Sequence, residues 1–276
     1  MMSEQIKAFA KYLLVQKGLG KITIYGYCNS IKRVLRSLDN LSPNNKDIYD
    51  YIEWMHSKEY SYSHIVNTSL AIESYMKHIG KYVKIGRPRK PKTIVKNTLT
   101  EAQIVFLIAN TKNIREKAMI TLLAYSGIRN SEFCNLKVED IDLGNNILRV
   151  ISGKNKKDYV VCISGECSNI LSNYLKEYSR PSDEYLFTSL VRKTRYSEWS
   201  LRKLIKILAK RAGINKRVYP HLIRHSLASN LLKRGANIVT IQKQLGHSRI
   251  DSTMIYLRSF PLQVQAEYNL FVPSYL

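Results

Sequence analysis

The chain has 276 residues, of which 44 are Lys or Arg and 21 are Asp or Glu, so its formal net charge at pH 7 is +23. Its hydrophobic fraction of 45% is ordinary for a globular protein, which excludes a disordered basic tail. A folded chain this basic is expected to bind a polyanion.

Membrane insertion and secretion are not expected from this sequence. No apolar run approaches the roughly 20 residues that span a bilayer, and Glu4 and Lys7 stand where a signal peptide would be apolar. The 4 cysteines are scattered without the spacing of metal ligands and are typical of reduced thiols. These features predict a cytoplasmic protein with no membrane partner.

The first segment, residues 1–84, is predicted to be a small all-α domain. Apolar residues recur at helical spacing up to Gly18 and Gly20, and Thr23 is a candidate cap for the second helix. Two further helices are expected over Asp47–Met55 and Tyr62–Ile79. Four short helices rich in lysine and tyrosine therefore account for this domain.

Residues 85–98 form the predicted boundary, because prolines and a glycine exclude regular structure there. This segment is also strongly basic through Arg87, Arg89, Lys90 and Lys92. The two interpretations are a solvated linker and a strap along a phosphate backbone. We favour the strap, because the release of counterions from a polyanion rewards such a segment.

The second domain, residues 99–276, is predicted to be larger and mostly helical. It opens with a capping box at Thr100–Gln103, and later helices are expected at 114–126, 166–179, 198–212, 220–235 and 238–245. Two strand-like runs, 147–151 and 159–163, flank a basic tip at residues 152–158, which predicts a β-hairpin. The expected fold class is therefore mainly α with a small β-hairpin or three-stranded sheet.

The stretch 221–256 carries the most suggestive chemistry. Arg224 offers paired donors that match phosphate oxygens, His221 and His247 can donate or move protons, and Tyr256 offers an oxygen nucleophile. No cluster of carboxylates accompanies them, and the chain has no Gly-rich phosphate loop of the nucleotide-binding type. The combination predicts attack of Tyr256 on a phosphodiester without a metal or a nucleotide cofactor.

The ordered motifs of the second domain identify a family. They are Tyr125-Ser-Gly-Ile-Arg129-Asn-Ser-Glu132, Gly153-Lys154, His221-Leu-Ile-Arg224-His225, and Leu245-Gly-His247 followed by Thr253 and Tyr256. In this order and spacing the domain resembles the tyrosine recombinase (integrase) family, and the overall plan resembles the Xer-type recombinases. The N-terminal helices match that family only in size and character.

The resemblance implies a role for each matching residue. Arg129 and Arg224 would clamp the scissile phosphate, and Lys154 would protonate the leaving 5′ oxygen. His221 and His247 would hold the phosphate and assist proton transfer, and Tyr256 would be the nucleophile. Glu132 and His225 would be supporting residues.

Two positions leave alternatives. In the family a second glycine and an arginine commonly follow the catalytic lysine, whereas Asn155 and Asp158 occupy that region here. Lys154 is therefore the first candidate for the acid and Lys156 the second. For His225, the residues alone favour a histidine buried in the core.

The resemblance implies a site-specific DNA recombinase that clamps duplex DNA between an N-terminal core-binding domain and a C-terminal catalytic domain. Four protomers would act on two DNA sites, with the apolar tail 262–276 docking on a neighbouring protomer, and no small-molecule substrate is implied. Dimer resolution in chromosomes or plasmids and mobile-element integration both stay open. The alternatives are DNA relaxation of the type IB topoisomerase kind and a catalytically silent DNA-binding protein, and the location implied is the nucleoid.

Overall fold

The computed structural model describes residues 2–89, 98–151, 158–191 and 193–246. The chain divides into two compact units, residues 1–92 and 93–276. Both are mainly helical, and a small sheet lies in the second, so the predicted fold class is confirmed. No helix within the described ranges combines the length and the apolar character needed to cross a membrane.

Four helices make up the described part of the N-terminal unit. Their bounds are α1 Met2–Val15, α2 Lys21–Leu38, α3 Asn45–Ser57 and α4 Tyr62–His78. The core forms where their apolar stripes meet, with Phe9 and Tyr75 packed edge to face at a centroid distance of 5.2 Å. The Tyr75 hydroxyl donates to the Leu41 carbonyl at 2.8 Å, and burial raises the pKa of Tyr75 to about 12.

The start of α2 differs from the prediction. The helix begins at Lys21 with Gly20 in the capping position, and no side chain caps it, so Thr23 lies inside the helix. Gly20 has extended backbone angles and its carbonyl accepts a hydrogen bond from the Ile24 amide at 3.0 Å. Glycine is accepted at this position, and the helix therefore starts one turn earlier than a threonine cap would allow.

The second unit is built from seven helices and three strands within its described residues. The helices are α5 Glu101–Ala109, α6 Ile114–Ser126, α7 Asn130–Asn135, α8 Gly165–Glu177, α9 Glu198–Arg211, α10 Pro220–Lys233 and α11 Ile238–Leu245. The predicted capping box is present at the start of α5, where the Thr100 side chain accepts from the Gln103 amide at 3.2 Å. Helix α6 is buried along most of its length and forms the centre of the core.

The sheet is antiparallel in the order β1-β2-β3. Its strands are β1 Ile141–Asp142, β2 Ile147–Val150 and β3 Tyr159–Cys162. Strands β2 and β3 are the two arms of the predicted hairpin, with Leu148 opposite Val161 and Val150 opposite Tyr159. The residues of the hairpin tip, 152–157, lie outside the described residues.

Candidate active site

The first arginine of the site follows a tight turn at the end of α6. Gly127 adopts a left-handed conformation with φ +63°, and its amide donates to the Leu123 carbonyl at 3.1 Å. A Cβ atom at this position would come within 2.8 Å of Leu227 and 2.9 Å of Leu245. Only glycine fits both the backbone angles and the space. The turn leads directly to Arg129, the residue preceding α7.

Glu132 holds Arg129 through both its backbone and its side chain. The carboxylate accepts from the Arg129 amide at 2.8 Å and from Arg129 Nη1 at 2.7 Å. It also accepts from the Tyr159 hydroxyl at 2.8 Å, and Glu132 is only 8% exposed. Burial by itself raises the pKa of Glu132, but these hydrogen bonds outweigh it and hold the pKa below its usual value. Glu132 is therefore a buried counter-charge.

Arg224 is the second arginine and is almost fully buried in α10, at 5% exposed. Its Nη1 donates to the Gly127 carbonyl at 2.6 Å and its Nη2 to the Leu245 carbonyl at 2.5 Å. Burial lowers the pKa of Arg224, and repulsion from Arg129 acts in the same direction. The guanidinium nevertheless stays protonated at neutral pH. Carbonyl groups from two separate segments thus fix the direction of a buried cation.

The turn after α11 closes the site. Gly246 has φ +57°, and its carbonyl accepts from Arg129 Nη2 at 3.1 Å. The ring of Tyr159 occupies the space that a Cβ atom at Gly246 would need. Segments around residues 127–132, 159, 224 and 245–246 therefore meet at one place. We call the group of Arg129, Glu132 and Arg224 the arginine cradle.

His221 lies one turn before Arg224 and keeps an exposed side chain. Partial burial lowers the pKa of His221 from its usual value, and the charges of Arg224, Arg129 and Arg202 lower it further. The lowered pKa leaves this imidazole neutral at neutral pH, and its position one turn before Arg224 puts it on the helix that carries the second arginine.

His225 differs from the prediction, because it is exposed and does not belong to the core. It is one helical turn from His221 and therefore shares the outward face of α10, while Arg224 and Ser226 point inwards. Its pKa is lowered by partial burial first, and by His221 and Arg224 in addition.

Several predicted residues lie outside the described residues. These are Lys90, Lys92, Lys154, Lys156, His247, Tyr256 and the tail 262–276. Of the linker cations, Arg89 is exposed, and Arg87 donates to Glu73 in α4 at 2.6 Å and to the Ile85 carbonyl at 2.7 Å. The charge of Arg87 is therefore partly balanced within the N-terminal unit.

A basic groove along α9 was missed by the sequence reasoning. It is open, has a volume of about 840 Å³ and is lined by the cations Arg202, Lys203, Lys206, Lys210, Lys216 and Arg217 together with Trp199 and Tyr219. Lys203 lies 5.3 Å from the centre of the Trp199 ring, a cation–π contact. The signal was present in the sequence, because cations at 202, 206 and 210 recur at helical spacing opposite buried Leu201, Ile205 and Leu208.

Metal-ligating side chains do not gather in the part of the chain that the structure describes. No group of three or more His, Cys, Asp or Glu residues there is arranged to hold an ion.

Comparison with known proteins decides the family. The sequence model described as "Phage integrase family" matches residues 97–262, which is more than half of the chain. The chain belongs to this family. The model described as "Phage integrase, N-terminal SAM-like domain" matches residues 6–79. The protein is thus a tyrosine recombinase, an enzyme that transfers DNA strands, as the motifs predicted.

Individual relatives agree with this assignment. Tyrosine recombinase XerA of Pyrococcus horikoshii is 33% identical over 261 residues, covering 93% of this chain and 89% of that protein. Tyrosine recombinase XerD of Listeria innocua is 28% identical over 302 residues, covering 99% of each protein. The predicted Xer-like plan is confirmed by these matches.

Solved structures show the same fold. The crystal structure of XerA recombinase matches over 100% of both chains with a TM-score of 0.58 and 30% identity. The Tn1549 transposon integrase matches 98% of this chain and 99% of that chain with a TM-score of 0.73, but at 18% identity it supports the fold alone. Together the comparisons favour site-specific recombination over topoisomerase-type relaxation and over a silent DNA-binding protein.

Proposed function

We propose that this recombinase cuts and rejoins duplex DNA through a 3′-phosphotyrosyl intermediate on Tyr256, without a metal ion or ATP. The proposal depends mainly on one observation. Arg129 and Arg224 come from distant segments, and both donate to the backbone immediately before His247, Arg129 to the Gly246 carbonyl and Arg224 to the Leu245 carbonyl. A site built in this way presents fixed positive charge where a phosphodiester gathers negative charge during attack.

Arg129 and Arg224 clamp the scissile phosphate in this proposal. Fixed donors aimed at the developing charge are usually the largest contribution to catalysis, at about 3 kcal/mol for each donor removed. Glu132 supplies a buried negative charge that pairs with Arg129 and offsets the repulsion between the two arginines. His225 lies one helical turn from His221 on the same outward face of α10, and we assign it a supporting role.

The remaining roles concern proton transfer. A tyrosine phenol has a pKa of about 10, so neighbouring cations are needed to favour its phenolate as nucleophile. The leaving alkoxide is a strong base and requires an acid, which we assign to Lys154 first and Lys156 second. His221 and His247 hold the phosphate and assist these transfers, and the neutral state expected for His221 leaves it able to accept as well as donate.

Double-stranded DNA is the partner in this proposal. Structural neighbours include XerH bound to its difH substrate and a lambda integrase dimer bound to a COC′ core site. The α9 groove offers cations for the phosphate backbone in the catalytic domain, residues 99–276. Residues 1–84 serve as the core-binding clamp, and the linker 85–98 follows the backbone through Arg87, Arg89, Lys90 and Lys92.

Assembly through the C-terminal tail is a further part of the proposal. Residues 262–276 are more apolar than a free terminus in water, which favours docking on a neighbouring protomer of a tetramer. Deleting 262–276 is expected to spare DNA binding and impair synapsis or cleavage. Full recombination by the truncated protein would contradict the tail's role.

Two alternative biological settings share this chemistry, namely dimer resolution in chromosomes or plasmids and integration of mobile elements. In both the enzyme acts on DNA at the nucleoid. The test of location is fluorescence imaging of the tagged chain, with co-localisation with DNA as the expected result and a diffuse or membrane signal as the contrary one.

Covalent capture tests the chemistry. The wild-type chain and Tyr256→Phe are incubated with sheared genomic DNA in EDTA, denatured, and the DNA that follows protein into phenol is sequenced. An adduct from the wild type alone, with ends at a common sequence, is the expected result. Adducts from both proteins would contradict the role of Tyr256, and unspecific ends together with relaxation of any plasmid would favour the topoisomerase alternative.

A further inference from the structure

Strand β3 contacts the turn after α11 at one end and α11 itself at the other. The two side chains that make these contacts, Tyr159 and Gln244, have no role in the proposal above. At the end nearest the arginine cradle, the Tyr159 hydroxyl donates to Glu132 at 2.8 Å and its ring lies against Gly246. At the other end, the Cys162 amide donates to Gln244 Oε1 at 3.0 Å, and Gln244 Nε2 donates to the Cys162 carbonyl at 2.8 Å.

Gln244 also reaches the segment that leads to Arg129. Its Nε2 lies 3.3 Å from the Tyr125 and Ser126 carbonyls, the last residues of α6 before the Gly127 turn. The side-chain amide of Gln244 therefore forms hydrogen bonds with backbone groups of β3 and of the end of α6 at the same time. This connects the hairpin, the α6–α7 turn and α11.

Tyr159 acts as a neutral donor at this position. Burial raises the pKa of Tyr159 to about 12, and the charge of Glu132 acts in the same direction. The phenol therefore keeps its proton at neutral pH and donates it to the carboxylate that holds Arg129. The same ring fixes where Gly246 lies, and the Gly246 carbonyl in turn accepts from Arg129.

We propose that Tyr159 and Gln244 are positioning residues for strand cleavage, which clamp the turn at Leu245–Gly246 to the arginine cradle. The inference rests on the roles proposed above for Arg129, Arg224 and the segment after Gly246. Because the Leu245 and Gly246 carbonyls accept from Arg224 and Arg129, any shift of this turn moves both guanidinium groups. Misplacement of reacting groups by about 1 Å costs on the order of 10²-fold in rate.

The experiment compares Tyr159→Phe and Gln244→Leu with a matched control, Tyr174→Phe. The control also removes one buried tyrosine hydroxyl of the same unit, which donates to the Leu186 carbonyl at 3.0 Å in the core. Single-turnover cleavage at saturating DNA and the Kd for DNA are measured for each protein. We expect both clamp variants to cleave about 10-fold more slowly with Kd changed less than about 2-fold, since Tyr159→Phe loses the polar contacts of its hydroxyl with Glu132 and Arg224, and Gln244→Leu loses those of its amide.

The control separates positioning from simple loss of stability. Tyr174→Phe is expected to lower the Tm and to cleave at the wild-type rate. If the clamp variants cleave normally, or if cleavage falls in Tyr174→Phe as much as in the clamp variants, the inference is overturned. A double-mutant cycle with Glu132→Ala adds a second criterion, because the part of the Tyr159→Phe effect that passes through Glu132 disappears once this acceptor is gone. Full additivity would contradict action through Glu132.

A readout that does not depend on catalysis keeps the two proposals distinguishable. Hydrogen exchange of the free protein is expected to accelerate over residues 127–132 and 241–246 in both clamp variants and to stay unchanged there in Tyr174→Phe. If Tyr256→Phe still formed a DNA adduct, the proposed function would be wrong. The hydrogen-exchange comparison would still show whether Tyr159 and Gln244 hold the turn in place. Unchanged exchange in the clamp variants would overturn the clamp alone.

Discussion

At the scale of single residues, the site depends on placing two cations beside one another in a largely dry environment. Arg224 is nearly buried and Arg129 has a side chain that is 23% exposed, so their mutual repulsion is only partly screened by water. Three kinds of partner offset it, namely the Glu132 carboxylate, the Gly127 carbonyl and the carbonyls of the Leu245–Gly246 turn.

Arg224→Lys is predicted to slow cleavage by at least about 10²-fold while DNA binding is largely kept. A lysine ammonium has no planar fork, so it cannot bind the Gly127 and Leu245 carbonyls and a phosphate in the same geometry. Single-turnover cleavage checks this, with Arg180→Lys as the control, since that arginine is 14% exposed and pairs with Glu184. Equal cleavage rates for wild type and Arg224→Lys would contradict the proposal that Arg224 holds the scissile phosphate.

Gly246→Ala is predicted to destabilise the catalytic unit by about 2 kcal/mol or more and to impair cleavage. The added Cβ would collide with the Tyr159 ring at a backbone position of φ +57°. Gly235→Ala is the matched control, because Gly235 has φ +84° and no neighbour within 4 Å of a Cβ. The difference in free energy of unfolding between the two variants measures the collision; no difference would mean that the ring does not constrain the turn.

His221 is predicted to titrate below the ordinary histidine pKa of about 6.5. Because burial and three arginines disfavour its charged form, the unfolded state binds its proton more readily than the folded state. Its contribution to stability is therefore present above about pH 6.5 and is lost as the pH falls through the lower folded pKa. NMR titration measures the pKa of His221, and the spectrum of His221→Gln identifies its signal. A measured pKa above 6.5 would contradict the prediction.

At the scale of elements, α11 is a short helix of the site that depends on its neighbours for stability. It has 8 residues, too few to be stable alone, and it packs on α10 through a small separate core. That core consists of Ala228, Leu232, Ile241 and Leu245. The position of the turn at Gly246 thus depends on a few apolar contacts and on the Tyr159–Gln244 clamp.

Ile241→Ala is predicted to cost about 2–4 kcal/mol in the local stability of α11 and to accelerate hydrogen exchange over residues 238–246. Ile241 is fully buried, so the truncation leaves a cavity between α10 and α11. Val239→Ala removes methyl groups from the exposed side of the same helix, where Val239 is 46% exposed, and should change little. If Ile241→Ala and Val239→Ala showed similar hydrogen exchange, the packing of α11 on α10 would not be what supports the turn at Gly246.

At the scale of the whole molecule, the charge of +23 governs the approach to DNA. The affinity for a nonspecific duplex is predicted to fall at least about 10³-fold between 50 and 200 mM salt. Lys206→Ala and Lys210→Ala, in the α9 groove, should each reduce the slope of log K against log salt by about 1. Lys137→Ala, which removes an exposed cation paired with Glu139, is the control. An unchanged slope in the groove variants would place the DNA elsewhere.

The amino-acid sequence was enough to predict most of the helices, the two arms of the hairpin and the order of the motifs. These depend on local signals: helical spacing of apolar residues, the Thr100–Gln103 capping box, and glycines at the ends of α6 and α11. It also marked Arg129, Glu132 and Arg224 through the motifs they share with one family. The early start of α2 was missed because a glycine cap carries a weaker signal than the threonine three residues later.

The way these residues are held depends on contacts that form only in the folded chain. Arg224 is buried because carbonyls 97 and 21 residues away accept from it, and Arg129 binds a carbonyl 117 residues away. Long-range pairings of this kind leave no mark in local periodicity, so neither the clamp by Tyr159 and Gln244 nor the outward face of His225 was foreseen. A side chain's own type sets what it can bond, whereas the fold sets which backbone groups come within its reach.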